Sequence, residues 1–120
     1  MPKQRSETTG AKLTKTLEWA AGVFEGEGSM THRQDGNWQI EMNMTDHDVM
    51  WDFYEAMSCR GHLSGERKPP SSQEHHKPFW VWKSAKRDTI FDIVLDLYPY
   101  MGQRRREKMD QFIAWYEAKK

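Results

Sequence analysis

Trp19-Ala20-Ala21-Gly22-Val23-Phe24-Glu25-Gly26-Glu27-Gly28-Ser29 is the stretch whose reading decides the fold. Leu17, Ala20, Val23 and Phe24 recur at three- and four-residue spacing, which predicts a helix that opens near Thr14 and runs into Glu25–Glu27. Its end breaks local rules. The last turn of a helix favours Lys or Arg, yet Glu25 and Glu27 stand there. Gly22 and Gly26 each cost about 1 kcal/mol against alanine inside a helix. Small residues let a second backbone come close, and a carboxylate beside free helix-end carbonyls makes an all-oxygen pocket suited to a hard divalent cation. The same residues also suit an ordinary amphipathic helix with a Gly-rich C-cap.

Outward from this helix, Met30–Arg33 and Trp38–Met44 are extended runs about Gln34-Asp35-Gly36-Asn37, and Asp-Gly between such runs signals a hairpin. Trp38, Ile40, Met42 and Met44 alternate with Gln39, Glu41 and Asn43, a strand with one buried face. Thr45-x-x-Asp48 reads as a capping box for a helix whose apolar face is Val49, Met50, Phe53 and Met57, ended by Cys59-Arg60-Gly61. Gly61–Lys68 and Phe79–Lys83 predict a second hairpin about the polar loop Pro69–His76, with Trp80 and Trp82 the better core candidates. A third helix is expected from about Ala85 to Leu97, stopped by Pro99. A fourth spans Gln103–Ala118, with Met109, Phe112, Ile113 and Tyr116 as its apolar stripe. Residues 1–13 read as a flexible basic tail and residues 14–120 as one α+β domain.

The chain has 120 residues, enough for one core, and its six Trp and eight Met supply large apolar volume. One cysteine excludes an internal disulfide and suits a reducing compartment. With no long apolar run or signal peptide, a soluble intracellular protein is expected. Net charge is zero, where nucleic-acid binders are usually basic. The charge is unevenly spread, at +3 for residues 1–17, −5 for 18–83 and +2 for 84–120. Any phosphate contacts should therefore come mainly from the termini and selected strand positions.

Ala20–Gly28 resembles the signature nonapeptide of the LAGLIDADG homing endonucleases. Ala21-Gly22 match, Val23-Phe24 are the apolar pair, Glu25 and Glu27 stand for the two aspartates, and Gly28-Ser29 close it. Tyr98-Pro99-Tyr100-Met101, followed by Arg104, Arg105 and Arg106, is similar to the family's L-x-P-Y-L segment and its basic residues. The resemblance implies an αββαββα domain with a curved four-stranded antiparallel sheet and a C-terminal helix. There is no second copy of the nonapeptide. A single-motif chain of this family works as a homodimer, which assigns Ala21, Gly22 and Gly26 to the pairing face. It implies Mg²⁺ held by Glu27 and the Gly26 carbonyl, hydrolysing phosphodiesters of double-stranded DNA at a pseudo-palindromic site. It also implies a gene carried by a mobile intron, an intergenic element or a phage genome.

By position in the same family, Asp46 becomes the water-organising residue, in place of the usual Gln or Asn, and Arg104 the basic residue near the last helix. Asp46 also fits a helix first turn, where an acid is stabilising by itself. Arg104–Arg106 open a helix, where cations are disfavoured, which favours phosphate contact, and Arg105 is assigned to the DNA backbone. A further site, often basic, falls on Met50. Sequence recognition is assigned to the outward strand positions Thr31, Arg33, Asn37, Gln39, Glu41, Asn43, Ser64, Glu66, Lys68, Val81 and Lys83. Arg or Lys reads guanine, Asn or Gln adenine, and Glu accepts from cytosine. Asp46 and Met50 also leave room for a non-cleaving relative, a DNA-binding regulator or an intron maturase. Zinc at Cys59, His62 and His75-His76 is disfavoured, because the spacing matches no Cys₂His₂ or Cys₄ pattern. Neither a membrane nor a small-molecule substrate is implied.

Overall fold

In a computed structural model, residues 14–67 and 78–119 are described. The tail 1–13, the loop from Pro69 to His76, and Lys68 lie outside them. Helix α1 is Leu17–Glu27, capped by Thr16 rather than Thr14, whose Oγ1 accepts the Trp19 N–H at 3.1 Å. Strands β1 (Gly28–His32) and β2 (Trp38–Met44) follow. Between them Asp35 Oδ1 accepts the Asn37 N–H at 3.0 Å and Gly36 takes φ +91°, the left-handed geometry that the Asp-Gly pair predicts.

Helix α2 is His47–Ala56. Its N-cap is Asp46, not Thr45, so the capping box read from the sequence is one residue out of place. Asp46 Oδ1 accepts the Val49 N–H at 3.1 Å, and a carboxylate at this position serves the helix dipole better than a hydroxyl. Strands β3 (His62–Arg67) and β4 (Phe79–Ser84) lead to α3 (Arg87–Leu97). Pro99 then sits in a 3₁₀ turn, Tyr98–Tyr100, and α4 spans Gln103–Ala118 as expected.

The four strands form one antiparallel sheet in the order β1-β2-β4-β3. Alternation gives it two unlike faces. One carries Met30, Trp38, Ile40, Met42 and Trp82, buried beneath the helices with Phe24, Met50, Phe53, Ile90, Leu97 and Phe112. Trp82 is the hub, meeting Phe24 and Phe53 edge-on with ring centroids 6.4 and 4.9 Å apart. Trp80 is only half-buried and lies against His47, their rings tilted by 36° with centroids 4.2 Å apart, so of the two tryptophans one alone is core. No helix among the described residues is long and apolar enough to cross a membrane.

Candidate nucleic-acid interface

Among the described residues no helix packs on the sheet's second face. The cross-strand register sets Ser29 beside Glu41, Thr31 beside Gln39, and Glu41 beside Lys83. It also aligns Asn43, Val81 and Ser64, and brings His62 to Lys83. Polar donors and acceptors thus form a continuous field across four strands, with Gln39 donating to Glu41 Oε1 at 2.6 Å. Ser29 and His62 belong to this field by register, although the sequence reading passed over them. The alternation of exposed Ser29 and Thr31 about buried Met30 was the available signal.

Two assignments change here. Val81 is only 5% exposed, because on the inner strand β4 it is walled by Asn43 and Ser64, so it offers almost no surface to a ligand. A bulge between Ser64 and Arg67 shifts the register, placing Arg67 rather than Glu66 opposite Phe79. Arg33 lies past the end of β1, in the turn, where Nη2 pairs with Asp35 Oδ2 at 3.0 Å. Thr31, Asn37 and Asn43 are exposed, and Gln39, Glu41, Ser64 and Lys83 half-buried.

Glu27 ends α1 and lines a hollow with Asn43, Met44, Thr45, Asp46 and Phe79, at one end of the outer face. The structure thus brings together Glu27 and Asp46, two residues 19 positions apart in sequence. Asp46 spends Oδ1 on its cap, leaving Oδ2 without a partner among the described residues. Glu27 likewise has no hydrogen-bond or ion-pair partner among them. Arg104 does not join this hollow. It lines a separate one with Glu25, Ser29 and Lys108. Met50 is fully buried in the core, so the family's often-basic position holds no surface group in this chain.

Glu25 and Arg105 explain the misplaced charge at the end of α1. Glu25 Oε1 accepts the Gly102 N–H at 2.8 Å, capping α4 from outside. Arg105 reaches back from α4, donating to the Glu25 carbonyl at 3.2 Å, with its guanidinium 4.8 Å from the Phe24 ring centroid. The cation that the helix end lacks in sequence arrives through space. Arg105, assigned above to DNA phosphates, is 18% exposed and engaged inside the chain. Arg104 remains exposed in the adjoining hollow, where Lys108 is half-buried with its Nζ 5.8 Å from the Trp38 ring centroid.

The motif glycines divide. Gly22 and Gly26 are exposed, and among the described residues an added Cβ at either meets nothing within 4 Å, so this face of α1 is open to them. At Gly28 the Phe24 ring occupies the place of a Cβ, so that glycine serves the chain's own packing. Ala21 is fully buried in the core and cannot line an interface with a second chain.

A helix-covered sheet in the order β1-β2-β4-β3, with the motif helix α1 ending beside its open face, has solved counterparts. The chain has the LAGLIDADG homing-endonuclease fold. It superposes on I-CvuI with TM-score 0.55 and 17% identity, covering 78% of this chain and 60% of that one. That structure is a complex with the I-CreI target, uncleaved in 2 mM Mg. The homing endonuclease I-TnaI matches at TM-score 0.57 and 15% identity, covering 85% and 71%. I-GzeII, a LAGLIDADG enzyme in complex with its DNA target, matches at 0.62 and 16%, covering 98% of this chain and 40% of that one. The chain therefore spans 60% of the length of I-CvuI and 40% of that of I-GzeII, less than two thirds of each. No protein-family sequence profile matches it, and no curated protein does so by sequence.

Proposed function

We propose that the chain is one subunit of a homodimeric, Mg²⁺-dependent, site-specific DNA endonuclease of the LAGLIDADG type. The observation that carries it is the continuity between the polar sheet face and the hollow holding Glu27 and Asp46. A two-stranded ribbon fits the major groove, and this face presents Thr31, Gln39, Glu41, Asn43, Ser64 and Lys83 as base-edge readers. The open Gly22/Gly26 face supports pairing with a second α1, which would set two Glu27 carboxylates near each other.

The donor set suits Mg²⁺. Glu27 offers a carboxylate without an internal partner, and Gly26 a carbonyl in the last helical turn. No group of three or more His, Cys, Asp or Glu among the described residues stands close enough to hold a metal. Mg²⁺ tolerates that, since it binds through one or two carboxylates with waters and phosphate oxygens completing the shell. Once bound, such an ion polarises the scissile phosphate and acidifies water. Asp46 Oδ2 is free to hold and orient the attacking water, and Arg104 on the neighbouring flank to neutralise backbone charge. The polar field fixes the duplex so that a single phosphodiester faces Glu27.

Incubating the protein with a randomised-site DNA library and Mg²⁺, then sequencing the cut ends, tests this. Staggered breaks at a near-palindrome from wild type, and none from Glu27→Gln despite retained binding, are expected. Specific binding without cutting by wild type would instead support a regulator or maturase, the reading favoured by the acidic Asp46 and the buried, uncharged Met50.

A further inference from the structure

At the end of the sheet's outer face opposite Glu27, a cleft of about 620 Å³ runs between the α2–β3 turn and the β4–α3 junction. Among the described residues four cations line it, Arg33, Arg60, Lys83 and Lys86, together with His62, and no carboxylate does. In a chain with equal numbers of acids and bases this is an uneven distribution. Two of the four are already paired, Arg33 with Asp35 and Arg60 with Asp96 at 2.7 Å. Lys83 and Lys86 have no ion-pair partner among the described residues.

The walls are rigidly made. Ser58, Cys59 and Gly61 all take left-handed φ, at 58°, 56° and 88°. Buried Trp82 holds this turn, its indole N–H donating to the Arg60 carbonyl at 2.8 Å. Arg60 Nε donates to the Met57 carbonyl at 2.7 Å, which closes the end of α2. Across the cleft, Lys86 is the N-cap of α3 and supplies no capping side chain, and Arg87 follows it. The one acid of this first turn, Asp88, accepts the Tyr116 O–H at 2.6 Å, and the two cations at the positive end of the helix are unfavourable unless a further anion joins them. A cationic cleft with an uncapped helix start on one wall therefore suits a phosphate group.

We infer that this cleft binds a phosphate of the nucleic-acid backbone, at the outer flank of the sequence that the sheet reads. This rests on the function proposed above, because Gln39, His62 and Lys83 belong both to the cleft and to the outer face. Along β2, Gln39 and Asn43 are separated by about 13 Å of strand. The clamp thus stands some four or more base pairs outward from the Glu27 hollow, at about 3.4 Å per pair. Its free cation on the helix side is Lys86, which adds affinity without reading sequence.

The experiment compares wild type, Lys86→Gln and Lys86→Arg with two probes. The first is binding of a mixed-sequence duplex of about 24 bp as a function of salt. The second is inorganic phosphate, followed through the amide resonances of Arg87, Asp88 and Thr89. Lys86→Gln should flatten the log–log salt slope by about 0.9, one phosphate's worth. It should also abolish phosphate-induced shifts, while Lys86→Arg keeps both and all three proteins melt alike. Duplex binding whose slope ignores Lys86→Gln, with no phosphate shifts, overturns the inference. Phosphate shifts that depend on Lys86 beside an unchanged duplex slope overturn the nucleic-acid source and leave a free-phosphate site. If wild type binds no duplex yet shows those shifts, the endonuclease proposal falls and the cleft stands apart from it.

Discussion

Replacing Arg105 by methionine should unfold the protein more readily without loosening its hold on DNA. The stem survives in methionine, but three contacts of the guanidinium disappear. Its hydrogen bond to the Glu25 carbonyl, 3.2 Å long, is charge-assisted and about 1.5–3 kcal/mol in kind. The cation over Phe24 adds about 0.5–1 kcal/mol, and its place at the end of α1 about 0.3–1 kcal/mol. The ion pair with Glu25 is long at 3.7 Å and its carboxylate is 42% exposed, so it adds about 0–1 kcal/mol. These overlap in one group, and a loss of about 2–3 kcal/mol is expected rather than their sum. For a domain of this size that lowers Tm by about 6–15 °C. Urea melts followed by tryptophan fluorescence, paired with DNA binding well below Tm, measure both effects. Glu25→Gln and the double variant complete a cycle whose coupling should exceed about 0.5 kcal/mol. A nearly unchanged melt, with a salt slope reduced by about 0.9, would refute the structural role and return Arg105 to the phosphates.

Gly28→Ala should destabilise by about 1–3 kcal/mol, since its methyl collides with the Phe24 ring, whereas Gly22→Ala has open space and should stabilise an isolated subunit by up to about 1 kcal/mol; chemical denaturation of both separates the two kinds of glycine. Gly26→Leu should convert a wild-type dimer into monomers in sedimentation velocity, and a wild type already monomeric at micromolar concentration removes α1 from any pairing face. Donation from the Tyr116 O–H to Asp88 at 2.6 Å, and lesser desolvation, raise the phenol above its ordinary value of 10.0. A raised folded-state value means that this stabilisation is complete below the unfolded pKa and is lost as pH climbs through the folded one. Alkaline melts should therefore fall more steeply for wild type than for Tyr116→Phe, and parallel curves would contradict the assignment.

Element order and core were legible because period and punctuation agreed. Val49, Met50, Phe53 and Met57 gave α2, Ile90, Ile93, Val94 and Leu97 gave α3, and Asp35-Gly36 gave the first turn. Glu27 with Gly26 and Gly22 could be picked out because these residues violate helix rules where no core reason exists. What local pattern could not show was anything decided by a distant element. Arg105 looked like a free cation at the start of α4, while its partner lies 80 residues earlier. Val81 looked outward by parity, and it is covered because β4 has neighbours on both sides. Ala21 matched a motif that reads as an interface, yet helix geometry turns it inward and leaves Gly22 outside. The basic cleft escaped notice because residues near 33, 60, 83 and 86 meet only once the sheet has formed.

The sheet order carries a consequence for how the chain reaches this state. The first and second halves each contribute a helix and a hairpin, α1β1β2 and α2β3β4, and within the sheet the two join only along β2 and β4. Each hairpin closes locally, but the central seam pairs Met42 with Trp82 across 40 residues of chain. Loop-closure entropy must be met there before the contacts offset it. The rate-limiting event is accordingly the docking of two half-made units along one strand pair. Truncating side chains on that seam slows folding, while truncation at the outer edges of β1 and β3 chiefly hastens unfolding.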